Sequence, residues 1–148
     1  MLMVLLLLAV GGCAAGKDRY AGRLVREDVL PDSYISQLAG VPMVLAYDRM
    51  DITAGYLGWA WEEAEGMPKI LTVDIRYPPT DCDKLYEEAK ANAEGMNMPQ
   101  GVSACYDARA AHVRIGDYYV RLAVLGISSD MEALEQVIGQ LAAVIQTE

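Results

Sequence analysis

The chain has 148 residues, which is enough for one domain with a single hydrophobic core. It carries 21 Asp and Glu residues against 12 Lys and Arg residues, for a net charge of -9. A balance this acidic, without a local basic run, excludes the usual route to nucleic acids, because binding a phosphate backbone requires a basic face.

The first predicted segment is the apolar run from Leu2 to Val10, which is followed by Gly11, Gly12 and Cys13. It is about half as long as the roughly 20 residues that a membrane-spanning helix needs. This length favours the apolar region of a signal peptide over a permanent span. The alternative interpretation is a buried N-terminal strand or helix with an incidental Cys13.

The sequence Val10-Gly11-Gly12-Cys13 resembles the lipobox of bacterial lipoproteins. The resemblance implies that residues 1–12 are a signal peptide, that Cys13 is acylated and becomes the mature N-terminus, and that residues 13–19 form a lipidated tether. It also implies a cell membrane or outer membrane location, facing the periplasm or the exterior. Two or more acyl chains would make this attachment nearly permanent.

The remaining residues, 20–148, are predicted to form one α+β domain. A short helix is expected over residues 31–38, because Pro31 suits a helix start and Gly40 suits a helix end. Strands are expected over residues 41–48 and 56–61. In the second strand the large side chains of Trp59 and Trp61 alternate with small residues, which favours core packing; the alternative is an exposed aromatic rim that stacks on a sugar or a partner protein.

The strand predicted over residues 69–77 alternates apolar and polar residues, which indicates one buried face and one solvated face. The pair Thr80 and Asp83 resembles a capping box, so a helix is expected from residue 80 to about residue 93. A second capping box, Ser129 with Glu132, precedes a C-terminal helix with an apolar stripe.

The clearest local pattern is a hairpin over residues 111–125. If Gly116 and Asp117 form a two-residue turn, a single strand register assigns every side chain of the hairpin to one of the two sheet faces. The predicted pairs are Ile115 with Tyr118, Val113 with Val120, and Ala111 with Leu122, while His112, Arg114, Tyr119 and Arg121 share the other face.

Together these elements indicate a β-β-β-α unit that occurs twice. Strands with one apolar and one polar face predict an α+β two-layer sandwich, in which a largely antiparallel sheet carries both long helices on its apolar face. In element order alone, this layout resembles the Mog1/PsbP-like fold found among some prokaryotic lipoproteins. That resemblance implies no function.

The three cysteines fit an exported protein. With Cys13 acylated, Cys82 and Cys105 remain as an even pair, which predicts a disulfide. The alternative is two small buried thiols. A metal site would need more ligands than these thiols and the single histidine, His112, provide, so no metal or cofactor is expected.

Catalytic residues are not apparent, since His112 would lie between Arg114 and Arg121, which lower its basicity. These three residues are instead a candidate patch for an anionic ligand, or else part of an ordinary solvated sheet face.

The sequence thus favours a non-enzymatic envelope lipoprotein that binds or senses a protein or a small ligand through its exposed sheet face. The alternatives are a cell-envelope hydrolase with Asp48 and Asp107 as acid and base, and a purely structural surface protein.

Overall fold

The computed structural model describes residues 19–65, 69–125 and 130–146. The predicted signal peptide, Cys13 and the predicted cap Ser129 lie outside the described residues. Within them the fold is α+β, as predicted, with one seven-stranded antiparallel sheet and four helices. The helices are α1 (Arg26–Val29), α2 (Asp32–Ala39), α3 (Cys82–Lys90) and α4 (Asp130–Ile145); the strands are β1 (Met43–Asp51), β2 (Tyr56–Glu63), β3 (Ile70–Arg76), β4 (Glu94–Met96), β5 (Val102–Tyr106), β6 (Ala111–Ile115) and β7 (Tyr118–Leu125).

The strand order in the sheet is β1-β2-β3-β7-β6-β5-β4, so β1 and β4 form its two edges. The first half of the chain contributes a three-stranded antiparallel meander, β1-β2-β3, followed by α3. The second half contributes a four-stranded meander, β4-β5-β6-β7, followed by α4, and the halves join where β3 pairs with β7. The short strand β4 was not predicted. The hairpin of β6 and β7 has the predicted register, with Val113 opposite Val120 and Ile115 opposite Tyr118.

The main hydrophobic core lies on one face of the sheet. In β3 the side chains of Leu71, Val73 and Ile75 are fully buried there, as their alternation predicts. Trp59 and Trp61 belong to the same core, which confirms the packing interpretation of these two rings. Each large apolar side chain buried in this way contributes about 1.5–3 kcal/mol to folding.

The prediction that both long helices lie on one face is not confirmed. Helix α4 contributes Leu134 and Leu141 to the main core, whereas α3 contributes Cys82 and Tyr86 to a second cluster with Cys105 and Tyr119. Successive strand residues point to opposite faces. Tyr119 therefore lies on the face opposite that of its neighbour Val120, which belongs to the main core. Helix α3 covers the part of this second face that β5, β6 and β7 form.

The start of α3 also differs from the prediction. The N-cap is Asp81, whose carboxylate accepts a hydrogen bond from the Lys84 amide at 3.1 Å. Thr80 instead donates its hydroxyl hydrogen to the Ala54 carbonyl at 2.9 Å. The predicted capping box fails because that hydroxyl stabilises the loop before β2.

Candidate functional site

Helix α3 divides the second face of the sheet into a covered part and an open part. The helix packs on β5, β6 and β7, and the residues of β1, β2 and β3 on this face are mostly exposed or half-exposed. We call this surface the open face. It is formed by Tyr47, Arg49, Asp51, Tyr56, Gly58, Ala60, Thr72, Asp74, Arg76, Arg121 and Ala123.

His112 lies in the covered part and is only 7% exposed. Its Nε2 atom lies 2.8 Å from Asp107 Oδ2, and its Nδ1 atom lies 2.7 Å from the Tyr119 hydroxyl. In the neutral ring these contacts fit one tautomer, in which Nε2 donates to the carboxylate and Nδ1 accepts from the phenol. Both ring nitrogens thus have partners within the protein, so the ring is held as a structural group.

Asp107 completes this network from the loop after β5. Its Oδ1 atom accepts hydrogen bonds from the backbone amides of Arg109 at 2.7 Å and Ala110 at 2.8 Å. The pKa of Asp107 is lowered to about 2, first by the hydrogen bond with His112 and then by these two amides. Its charged form is therefore part of the folded structure near neutral pH.

Arg114, the second residue of the predicted patch, is held by partners within the protein. Its Nη2 and Nε atoms donate to Asp83 Oδ1 at 2.8 and 3.0 Å, and its Nη1 atom donates to the carbonyls of Gly116 and Tyr118. The guanidinium therefore ties the β6–β7 turn to helix α3. Of the three predicted patch residues, only Arg121 lies on the open face.

The two described cysteines, Cys82 and Cys105, are free and buried, so the predicted disulfide is not confirmed. They belong to the same cluster but have different neighbours: Cys82 lies near Arg114, and Cys105 hydrogen-bonds with the Tyr86 hydroxyl. Burial raises the pKa of both thiols. Neither thiol is activated as a nucleophile, because the thiolate is the reactive form.

The carboxylates considered for a hydrolase, Asp48 and Asp107, are far apart. Asp48 lies on the edge strand β1, and Asp107 follows β5, five strand positions away in the sheet. At the usual spacing between strands this separation is about 24 Å. Paired glycosidase carboxylates lie roughly 5–10 Å apart, so these two residues do not form such a pair.

A tyrosine packs across the centre of the open face. The Tyr56 hydroxyl donates to Asp74 Oδ1 at 2.7 Å, and the Arg76 guanidinium lies 4.3 Å from the Tyr56 ring centre. The pKa of Tyr56 is raised by burial and by hydrogen bonds with Asp74 and Tyr47. This arrangement depends on Gly58, since a Cβ there would lie 2.0 Å from the Tyr56 hydroxyl oxygen.

Two arginines flank this tyrosine. Arg76 lies between Tyr56 and Tyr119 in the cross-strand register, and Arg121 lies opposite Asp74. Among the described residues, no ion pair within 4.0 Å involves either arginine. The sequence identified Arg121 as a candidate ligand residue and Tyr56 as a neighbour of the tryptophans in a candidate aromatic rim, but it did not identify Arg76 or the packing of Tyr56 against Gly58, although a glycine within a strand signals close approach of another group.

In the described ranges no group of three or more His, Cys, Asp or Glu side chains is placed to hold a metal ion. None of the helices in the same ranges is long and apolar enough to cross a membrane.

Comparisons with protein-family models, curated proteins and solved structures find no match to this chain.

Proposed function

We propose that this chain is an envelope lipoprotein whose folded domain is a non-enzymatic binding module for an anionic ligand, which it holds on the open face. The supporting observation is that Arg76 and Arg121 lie together on a solvent-accessible sheet face without a carboxylate ion pair among the described residues. In a chain with a net charge of -9, carboxylate partners for two arginines are abundant. Their unpaired state leaves both guanidinium groups ready for an external anion.

The ligand chemistry follows from these two side chains. A guanidinium presents a planar set of N–H donors that matches the oxygens of a carboxylate or a phosphate. Arg76 is already held against the Tyr56 ring, so ordering it on binding costs less side-chain entropy than ordering a free arginine. Tyr47, which is 39% exposed, adds an aromatic side chain to the same face.

The chemistry elsewhere in the described residues favours binding over catalysis. The only imidazole is engaged at both nitrogens, burial raises the pKa of both described thiols, and Asp48 lies five strand positions from the strand that precedes Asp107. The hydrolase alternative therefore has no assembled acid and base in this part of the chain.

The location proposed for this module rests on the lipobox-like residues Val10-Gly11-Gly12-Cys13. Acylation at Cys13 would hold the domain at a membrane while its acidic surface stands away from anionic head groups. In the full-length protein, Cys13→Ser is expected to move the chain from the membrane fraction to the soluble fraction. Retention of this variant in the membrane fraction would contradict the anchor without bearing on the ligand.

The binding proposal is tested with two defined probes, immobilised polyglutamate for carboxylates and immobilised polyphosphate for phosphates. The Arg76→Gln, Arg121→Gln double variant should bind the preferred probe about tenfold more weakly than the unchanged protein. The matched control is Arg109→Gln, which removes an exposed arginine from a loop outside the open face. Equal binding by the double variant and the control, or no binding of either probe by the unchanged protein, would contradict the proposal.

A further inference from the structure

An apolar surface continues the open face along strands β3 and β7. Ile70 pairs with Leu125 and Thr72 pairs with Ala123, and all four side chains share the face of Arg121, because residues two apart on a strand point the same way. We call these four residues the apolar strip. Leu125 is the most exposed large apolar side chain of the described ranges, at 60%, and the other three are half-buried. Exposed apolar surface therefore lies next to the two arginines on the same pair of strands.

The apolar strip is long enough for a straight alkyl chain. Leu125 follows Arg121 by four strand residues, which corresponds to about 13 Å along β7. The row of paired residues between them has small side chains on β2, β3 and β7, namely Ala60, Thr72 and Ala123. No large side chain of this row therefore separates the arginines from Leu125.

The charge at the arginine end of the strip fits one carboxylate. Asp74 lies directly opposite Arg121, yet the two make no ion pair within 4.0 Å, and Asp74 instead accepts a hydrogen bond from the Tyr56 hydroxyl at 2.7 Å. Two guanidinium groups, those of Arg76 and Arg121, against one carboxylate leave a single net positive charge. A head group with one negative charge would neutralise it.

The opposite end of the strip is bordered by a negative charge. Glu62 is exposed and lies opposite Ile70 on the neighbouring strand β2, on the same face of the sheet. Within the described part of the chain it makes no ion pair within 4.0 Å. Since like charges on opposed strand residues repel, Glu62 disfavours a second anionic group at this end of a ligand.

We infer that the anionic ligand is a long-chain monocarboxylate, whose carboxylate binds Arg76 and Arg121 and whose alkyl chain lies along the apolar strip. The inference rests on the proposed function, because it uses the same two arginines. A carboxylate accepts charge-assisted hydrogen bonds from guanidinium groups, and each methylene removed from water adds to the affinity. The net charge of -9 disfavours an anionic bilayer surface, so the occupant is a single molecule.

The inference is tested with dodecanoate, butyrate and dodecanedioate, each kept below the concentration at which it forms micelles. NMR signals of the full-length Cys13→Ser protein are followed during each titration. Dodecanoate should bind at least about tenfold more tightly than butyrate, which has the same head group but is too short to reach Leu125. It should also bind more tightly than dodecanedioate, whose second carboxylate meets Glu62. Signals of Ile70 and Leu125 should shift with dodecanoate and not with butyrate.

The failures of the two proposals are distinguishable. Equal affinities for dodecanoate and butyrate, with shifts at Arg76 and Arg121 in both titrations, would overturn the long-chain ligand and leave the anion site in place. Equal or tighter binding of dodecanedioate would also overturn it. Absence of shifts at both arginines with every probe would contradict the anion site itself, and the long-chain ligand with it.

Substitutions in the strip provide a second test. The Ile70→Thr, Leu125→Ser double variant should bind dodecanoate about fivefold or more weakly and bind butyrate as the unchanged protein does. The matched control is Met131→Ser, which removes a side chain that is 42% exposed on helix α4. Glu62→Gln should bring the affinity for dodecanedioate closer to that for dodecanoate. Equal dodecanoate binding by the double variant and the control, or no effect of Glu62→Gln on dodecanedioate, would overturn the inference.

Discussion

At the scale of single residues, His112 shows that a single histidine on a strand does not by itself indicate a catalytic or ligand-binding site. Its ring is stacked with Tyr119 at a centroid distance of 6.1 Å and hydrogen-bonded at both nitrogens. Buried polar groups need such partners, since an unsatisfied donor or acceptor costs free energy. His112 therefore has a structural role, because its hydrogen bonds stabilise the covered part of the sheet.

The first prediction concerns the phenol that serves this ring. Tyr119→Phe removes the group that satisfies His112 Nδ1 while keeping the aromatic ring, and should lower the free energy of unfolding by about 1–2 kcal/mol in urea denaturation. The matched control is Tyr106→Phe, which removes the hydroxyl of a half-buried tyrosine on the neighbouring strand β5. Equal effects of the two substitutions would show that the His112 contact contributes nothing specific.

The second prediction concerns pH. The pKa of Asp107 is lowered from 3.8 to about 2 in the folded protein, so its ionised form stabilises the fold fully above pH 4. This contribution is lost as the pH falls through 2. The loss should be on the order of 1 kcal/mol, after allowance for the partial exposure of the carboxylate.

The measurement compares the free energy of unfolding at pH 5 and at pH 2 for the unchanged protein and for Asp107→Asn. The unchanged protein should lose more stability over this range than the variant, which has no carboxylate to titrate there. The same loss in both proteins would show that Asp107 is not the group responsible.

At the scale of secondary structure elements, strand β2 joins the core to the open face. One side buries Trp59 and Trp61, and the other supports the Tyr56 ring across Gly58. The ring in turn places its hydroxyl on Asp74 and its face under Arg76. One glycine therefore sets the geometry of the proposed binding surface.

The third prediction follows from this close approach. Gly58→Ala should destabilise the fold by about 1–3 kcal/mol and weaken binding of the anionic probe, because the Tyr56 ring must move from its position. Gly95→Ala in β4 is the matched control, since no described atom lies within 4 Å of a Cβ there. Thermal unfolding and probe binding of both variants test this, and a Gly58→Ala variant that matches the control would contradict it.

Much of the sheet could be predicted from local patterns, because strand alternation and turn residues act over short distances. The register around Val113 and Val120, the buried face of β3 and the core position of both tryptophans are confirmed. The side on which α3 packs could not be predicted. Its apolar stripe shows that it needs a partner, but only the folded sheet shows that Cys105 and Tyr119 provide one.

At the scale of the whole molecule, the distribution of charged residues affects anion binding more than the net charge does. The chain has a net charge of -9, yet Arg76 and Arg121 lie together on the open face without carboxylate ion pairs in the described ranges. The carboxylates outside the open face oppose anion binding weakly, since charges are screened beyond about 8 Å at physiological salt. On the open face itself, Asp74 accepts a hydrogen bond from the Tyr56 hydroxyl. A bound anion should therefore dissociate more readily as the salt concentration rises.

The most direct test of this account locates the anion on the protein. Amide and arginine side-chain NMR signals of the full-length Cys13→Ser protein are followed while polyphosphate or polyglutamate is added. We predict saturable shifts at Arg76, Arg121 and their neighbours Tyr56 and Asp74, with signals from helix α4 unchanged. Shifts centred on another surface, or none at the open face with either probe, would contradict it.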